Sequence, residues 1–138
     1  MINICFFCLA NDIAMDLHEH VTEAKSYIFE RLNTPAYCFK VVDGDTIKCV
    51  IKYNGEYLKV NVRLDGIDAP DINKDAKKTS TEFTKRFVEN KYVNLQFISQ
   101  DKYGRHLCTV YLLNENVNKK LIDGGYAIEY HGGTKIPQ

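Results

Sequence analysis

The chain has 138 residues, 45% of them hydrophobic and 26% charged, which is enough for one buried core and too little for two ordinary domains. That balance excludes a chain kept open by low hydrophobicity and high net charge. The longest apolar run, Cys5 to Ala10, is far below the ~18 residues of a bilayer span, so no membrane partner is expected.

Lysine plus arginine and aspartate plus glutamate number 18 each, so net charge exerts no overall pull toward a polyanion. The distribution is uneven. Residues 1–34 carry Asp12, Asp16, Glu19, Glu23 and Glu30 against Lys25 and Arg31, which leaves residues 35–138 mildly basic. Five cysteines are an odd number, and Cys49 and Cys108 fall on strand interiors where buried free thiols are common. This cysteine usage predicts a reducing compartment, hence an intracellular rather than secreted protein. The first ten residues have no lysine or arginine and match a secretory signal only loosely. The Cys5-x-x-Cys8 pair has no second pair of metal ligands nearby and reads as two small apolar residues.

From Met15 to Leu32, apolar Leu17, Val21, Ala24, Ile28 and Leu32 recur at spacings of three and four, one stripe of an amphipathic helix that Asn33-Thr34-Pro35 ends. Met15 is an alternative start. Residues 1–34 are therefore an extension carrying a helix, and residues 35–138 form the domain. In the domain, Tyr37 to Asp43 and Thr46 to Tyr53 read as strands, the second with Ile47, Cys49 and Ile51 alternating with Lys48 and Lys52. Asn54-Gly55 is a strong hairpin signal, since both residues tolerate the positive φ of a type I′ turn. A third strand follows, with Leu58, Val60, Val62 and Leu64 on one face and Arg63 on the other.

Asp71 to Lys78 reads as a charged loop. Thr79-x-x-Glu82 has the capping-box pattern and predicts a helix with Phe83, Phe87 and Val88 buried. Val93, Leu95 and Phe97 mark a fourth strand and His106 to Leu113 a fifth. Asn116 then caps a short helix that stops at Gly124-Gly125. Three strands joined by tight turns, a helix and two more strands predict an α+β domain built on a small closed barrel of the OB type; an open sheet is the alternative.

Ionisable residues concentrate at turns and strand ends: Asp43-Gly44-Asp45-Thr46, Arg63-Leu64-Asp65-Gly66-Ile67-Asp68-Ala69-Pro70-Asp71, and Asp101-Lys102-Tyr103-Gly104-Arg105. Singly, each is ordinary turn chemistry. Together, with Val41-Val42 before the first, Val62 before the second, Val117-Asn118 opening the last helix and Gly125-Tyr126-Ala127 closing it, the set resembles the staphylococcal (micrococcal) nuclease family over about residues 36 to 131. The resemblance implies a five-stranded OB-fold barrel with flanking helices and Ca²⁺-dependent hydrolysis of DNA and RNA with little sequence preference.

Carried over by position, it implies that Asp45 and Asp68 are hard oxygen ligands for Ca²⁺, with the backbone carbonyl of Ala69 as a third. Arg63 and Arg105 are the expected guanidinium clamp on a phosphate gaining charge. Asp71 stands where the family has a glutamate, the proposed general base. It keeps the carboxylate on an arm shorter by about 1.5 Å, which is expected to weaken activity. Lys102 and Tyr103 match positions that contact phosphate and nucleotide; Tyr130 lies close to another, one residue out of step. The expected partner is nucleic-acid substrate and the expected state a monomer. The competing expectation is a catalytically inactive OB module that binds nucleic acid or serves as a scaffold.

Overall fold

In the computed structural model, residues 31–70 and 73–131 are described. The Cys5–Cys8 pair, Asp71, and all but the last two residues of the expected Met15–Leu32 helix lie outside the described residues. Arg31 and Leu32 are not helical: the Arg31 N–H donates to the Phe97 carbonyl at 3.1 Å and the Leu32 carbonyl accepts the Phe97 N–H at 2.8 Å. These two bonds prolong a strand ladder where the sequence pattern continued a helix.

The elements are β1 (Asn33–Asp43), β2 (Thr46–Tyr53), β3 (Glu56–Leu64), β4 (Ile67–Asp68), α1 (Lys74–Val88), β5 (Lys91–Gln100), β6 (His106–Leu112), β7 (Glu115–Asn116), α2 (Val117–Asp123) and β8 (Ile128–Glu129). The main sheet runs β3-β2-β1-β5-β6-β7, and β3 also pairs with β6 in parallel through Val62–His106, Arg63–Leu107 and Leu64–Cys108. That pairing closes β1, β2, β3, β5 and β6 into a five-stranded barrel, so the OB expectation holds and the open sheet does not. The short pair β4–β8 lies beside it.

Alternation fills the barrel: Ile47, Ile51, Val62, Leu64, Leu95 and Phe97 are all buried, and so are Cys38, Cys49 and Cys108, which are free thiols. Asn54 (φ 49) and Gly55 (φ 81) form the expected turn between β2 and β3. Pro35 lies inside β1, two residues before Tyr37, where the sequence reading begins the strand. It is tolerated because there β1 pairs only with β5, through Pro35–Asn94, and its pairing with β2 begins at Tyr37.

The first helix departs from the sequence reading at its start and its buried face. Asn73 is the N-cap, its side chain accepting the Ala76 N–H at 2.7 Å, so Lys74 to Lys78 are helical and Thr79 is interior. Its Thr79 hydroxyl donates to the Asp75 carbonyl instead of capping. The buried residues of α1 are Ser80, Thr84 and Val88, with Phe83 and Phe87 only half-buried. Close approach to the β1–β2 turn is the reason: the Thr84 hydroxyl donates to the Gly44 carbonyl at 2.8 Å, and a Cβ at Gly44 would stand 1.9 Å from Ser80 Oγ. Small residues are required on both sides. Phe83 instead stacks on Tyr126, ring centroids 4.1 Å apart, which ties α1 to the segment after α2. The last helix follows the sequence reading, with Asn116 accepting the Lys119 N–H at 3.0 Å.

Candidate active site

Three chain segments that the fold brings to one end of the barrel enclose an open cleft of about 750 Å³: the β1–β2 turn, the run from the end of β3 through β4, and the β5–β6 loop. Asp45, Arg63, Asp68, Ala69, Lys102, Tyr103, Arg105 and Tyr130 all line it. The ionisable residues singled out from sequence, Asp71 apart, therefore share one cleft instead of scattering over the surface.

Arg63 is the centre of the deep end. It points away from the hydrophobic core, as alternation requires, yet it is buried because the chain after β3 folds back over it. Its Nη1 donates to the Ile67 carbonyl at 3.0 Å and the Leu64 carbonyl at 3.3 Å, and its Nη2 to Asp68 Oδ1 at 3.2 Å. Asp45 Oδ2 lies 3.4 Å from Nη1 and accepts the Ala69 N–H at 2.9 Å. Asp45 Oδ1 accepts the Thr46 hydroxyl at 3.0 Å. One guanidinium thus sits between two buried carboxylates, and the Ala69 N–H holds that of Asp45 in place.

Asp43 adds a third acid. Its Oδ1 accepts the Asp45 N–H at 3.3 Å, and burial first, then the adjacent Asp45 carboxylate, pushes its carboxyl up to about 6. Burial alone would raise Asp45 too, but its bond with Asp43, the Arg63 guanidinium and the Ala69 N–H outweigh that and hold it below the ordinary carboxylate range.

Arg105 sits one residue before β6, the strand that places Leu107 beside Arg63, and Asp101 organises its loop. Asp101 Oδ1 accepts the N–H groups of Tyr103 and Arg105, each at 2.9 Å, and its Oδ2 accepts Arg105 Nε at 2.7 Å. Burial opposes ionisation of Asp101, but these bonds prevail and its carboxyl is lowered. The two Nη groups of Arg105 make no hydrogen bond among the described residues, and the side chain is 33% exposed toward the cleft. Tyr103 is exposed, with Lys102 Nζ 5.2 Å and the Arg105 guanidinium 5.6 Å from its ring centroid.

The donor set at the deep end fits a hard divalent cation. It is all oxygen and anionic, the Asp45 and Asp68 carboxylates with the Ala69 carbonyl adjacent in sequence, and the Asp43 carboxylate lies beside Asp45. Among the described residues no three His, Cys, Asp or Glu side chains converge as a metal cluster. Waters and substrate oxygens would complete the coordination of such an ion.

Several contributors were not singled out from sequence. Lys77, from the first turns of α1, and His131, just after β8, also line the cleft. Asn118 is the least visible. Buried in α2, it accepts the Val110 N–H at 3.1 Å and donates to the Asp65 carbonyl at 2.8 Å and the Cys108 carbonyl at 3.1 Å. It pins the turn that carries Asp68 to the barrel. The only signal was its place in the Val117-Asn118 motif.

Residues 61–136, more than half of the chain, match the family described as Staphylococcal nuclease homologue. A thermonuclease of Staphylococcus hyicus is 36% identical over 96 residues, covering 64% of this chain and 54% of its own length. A thermonuclease of Staphylococcus intermedius is 38% identical over 96 residues, covering 64% and 55%. An uncharacterized endonuclease of Escherichia coli O157:H7 is 36% identical over 92 residues, covering 66% and 58%. The chain spans little more than half the length of these curated relatives. Barrel, cleft and sequence match agree: the chain belongs to the staphylococcal nuclease homologue family.

Proposed function

We propose that this protein is a Ca²⁺-dependent endonuclease that hydrolyses phosphodiester bonds of DNA and RNA with little sequence preference. The observation that carries the reading is the Asp45–Arg63–Asp68 cluster sharing one cleft with Arg105. An inactive binding module has no use for two buried carboxylates spent on one guanidinium.

Asp45, Asp68 and the Ala69 carbonyl would hold the cation, which when bound neutralises phosphate charge and acidifies water. The remaining work falls to the chain's own side chains. Lys102 and Tyr103, at the mouth, engage a neighbouring phosphate and the sugar or base, and Tyr130 packs against the nucleotide from the far wall. Arg105 presents its Nη groups to the non-bridging oxygens as they gain charge. Arg63 does the same from the deep end, exchanging carbonyl contacts for phosphate oxygens. Asp71 accepts the proton of the attacking water, and its short arm makes this enzyme slower than one with glutamate there.

The test is degradation of single-stranded and duplex DNA and of RNA by pure protein, with Ca²⁺ and with excess chelator. Cleavage that appears only with Ca²⁺ and favours single strands supports the reading. Equal degradation in both conditions removes the cation from it, and none in either removes hydrolysis.

A further inference from the structure

Outside the cleft, the outward face of β1, β2 and β3 carries a second pattern. Residues directly opposite in an antiparallel pair point to the same side, so the register sets Tyr37 beside Val50, Val50 beside Lys59, Lys48 beside both Lys40 and Asn61, and Lys52 beside Tyr57. Tyr92 of β5 stands opposite Tyr37, with ring centroids 5.1 Å apart. Lys59 Nζ lies 5.7 Å from the Phe39 ring centroid, and Lys52 Nζ 5.4 Å from that of Tyr57. Cations and rings are interleaved.

Between the cleft and the Asn54-Gly55 turn, these strands place Lys40, Lys48, Lys52 and Lys59 outward and no aspartate or glutamate. Protection of a sheet edge does not account for Lys48 and Lys52, because β2 is paired on both sides, with β1 and with β3; β3 meets β6 only over Val62–Leu64, so Lys59 alone of the three stands on an open edge. Packing does not account for the rings: Tyr57 is 75% and Tyr92 76% exposed. The wall is also continuous with the cleft. Arg63 is the outward residue near the end of β3, and Asn61, Lys59 and Tyr57 follow on the same face. Alternate strand residues are ~6.6 Å apart, so this row reaches ~20 Å from the cleft.

We infer that this wall is a binding track for single-stranded nucleic acid, along which the strand held in the cleft continues. Lys48, Lys52 and Lys59 contact successive phosphates, and Tyr57 and the Tyr37–Tyr92 pair offer stacking surfaces to bases, a combination that grips a strand without reading its sequence. The inference rests on the reading of the cleft as a phosphodiesterase site, and its effect is to favour long, opened strands over short ones.

The experiment measures binding of 5′-fluorescein oligothymidylates of 4 and 16 nucleotides by fluorescence anisotropy, in chelator and at several salt concentrations. The proteins are wild type, the triple variant Lys48→Ala/Lys52→Ala/Lys59→Ala, the matching triple Lys→Arg variant, and Tyr57→Ala. Wild type is expected to bind the longer strand more tightly than the shorter. The alanine triple should lose at least about tenfold on the 16-mer, with a log K against log salt slope shallower by about 2, since each lost phosphate contact removes ~0.7 on single strands. The arginine triple should keep both, and Tyr57→Ala should weaken the 16-mer about fivefold or more with the slope unchanged. Circular dichroism identifies any variant that has not folded, and the arginine triple and Tyr57→Ala then carry the test. Wild-type affinity and slope in the alanine triple would overturn the track, as would equal losses on both lengths. Cleavage of the 16-mer by wild type with Ca²⁺ is scored separately: binding along the track without cleavage defeats the hydrolytic reading, and cleavage with unaltered variant binding defeats the track alone.

Discussion

Asn118 offers the sharpest test of how the barrel holds its cleft together. Its side chain makes three bonds at once, to the Val110 N–H and to the Asp65 and Cys108 carbonyls. Each is worth about 1 kcal/mol net, so Asn118→Ala should lose about 2–4 kcal/mol of folding stability, a large part of the roughly 5–15 kcal/mol of an ordinary domain. Asn118→Asp separates the donor from the acceptor. It keeps an oxygen for Val110 but sets a buried carboxylate against two carbonyl oxygens, so the new carboxyl titrates above its ordinary value of about 3.9 in the folded chain. The folded state then keeps a proton that the unfolded state releases, and the deficit of this variant grows as pH rises above about 4. Urea unfolding between pH 4 and 8 reads both effects as shifts of the midpoint at constant slope. A loss below about 1 kcal/mol for the alanine variant, or a pH-independent deficit for the aspartate one, would refute the claim that this residue clamps the turn.

Three further outcomes are expected. Gly44→Ala places a methyl group 1.9 Å from Ser80 Oγ and 3.0 Å from Ala69 Cβ and should destabilise by about 1–3 kcal/mol; adding Ser80→Gly should return part of that loss in thermal melts, and strictly additive losses would contradict the contact. Asp71→Glu should raise the cleavage rate, and an unchanged rate argues against a base at that position. For Asp101, whose folded carboxyl lies below its ordinary value, stability is present above pH ~4 and lost as pH falls through the folded value. Asp101→Asn should therefore be less stable than wild type at pH 7, with the gap closing on acidification; a gap that widens toward acid would reverse the sign of the argument.

The barrel was legible in the sequence because its information is local. Alternation in Ile47–Cys49–Ile51 and Val93–Leu95–Phe97, and a turn dipeptide that accepts positive φ, each name an element without knowledge of its neighbours. Closure through β3 and β6 needed the whole set. Features set by tertiary contact were harder to read. The start of α1 was misplaced because Thr79 and Glu82 imitate a cap while Asn73 provides one. Its buried face was legible in part: Val88 is buried and Phe83 and Phe87 pack half-buried against the core, but Ser80 and Thr84, which fit against the β1–β2 turn, carry no apolar signal. Two-residue strands such as β4 and β8 carry no periodicity at all. At the site, the side-chain types were readable from the motifs, but the burial of Arg63 was not, since it depends on the Ile67 carbonyl folding back onto it.

The most direct measurement is single-turnover cleavage of a fluorescent single-stranded oligonucleotide under Ca²⁺ titration, comparing wild type, Asp68→Asn and Arg105→Ala. The account expects wild type to saturate with Ca²⁺, Asp68→Asn to need at least about tenfold more of the ion, and Arg105→Ala to keep the wild-type Ca²⁺ response while cleaving ~10²–10³-fold more slowly. A wild-type Ca²⁺ response in Asp68→Asn together with undiminished cleavage by Arg105→Ala would contradict it.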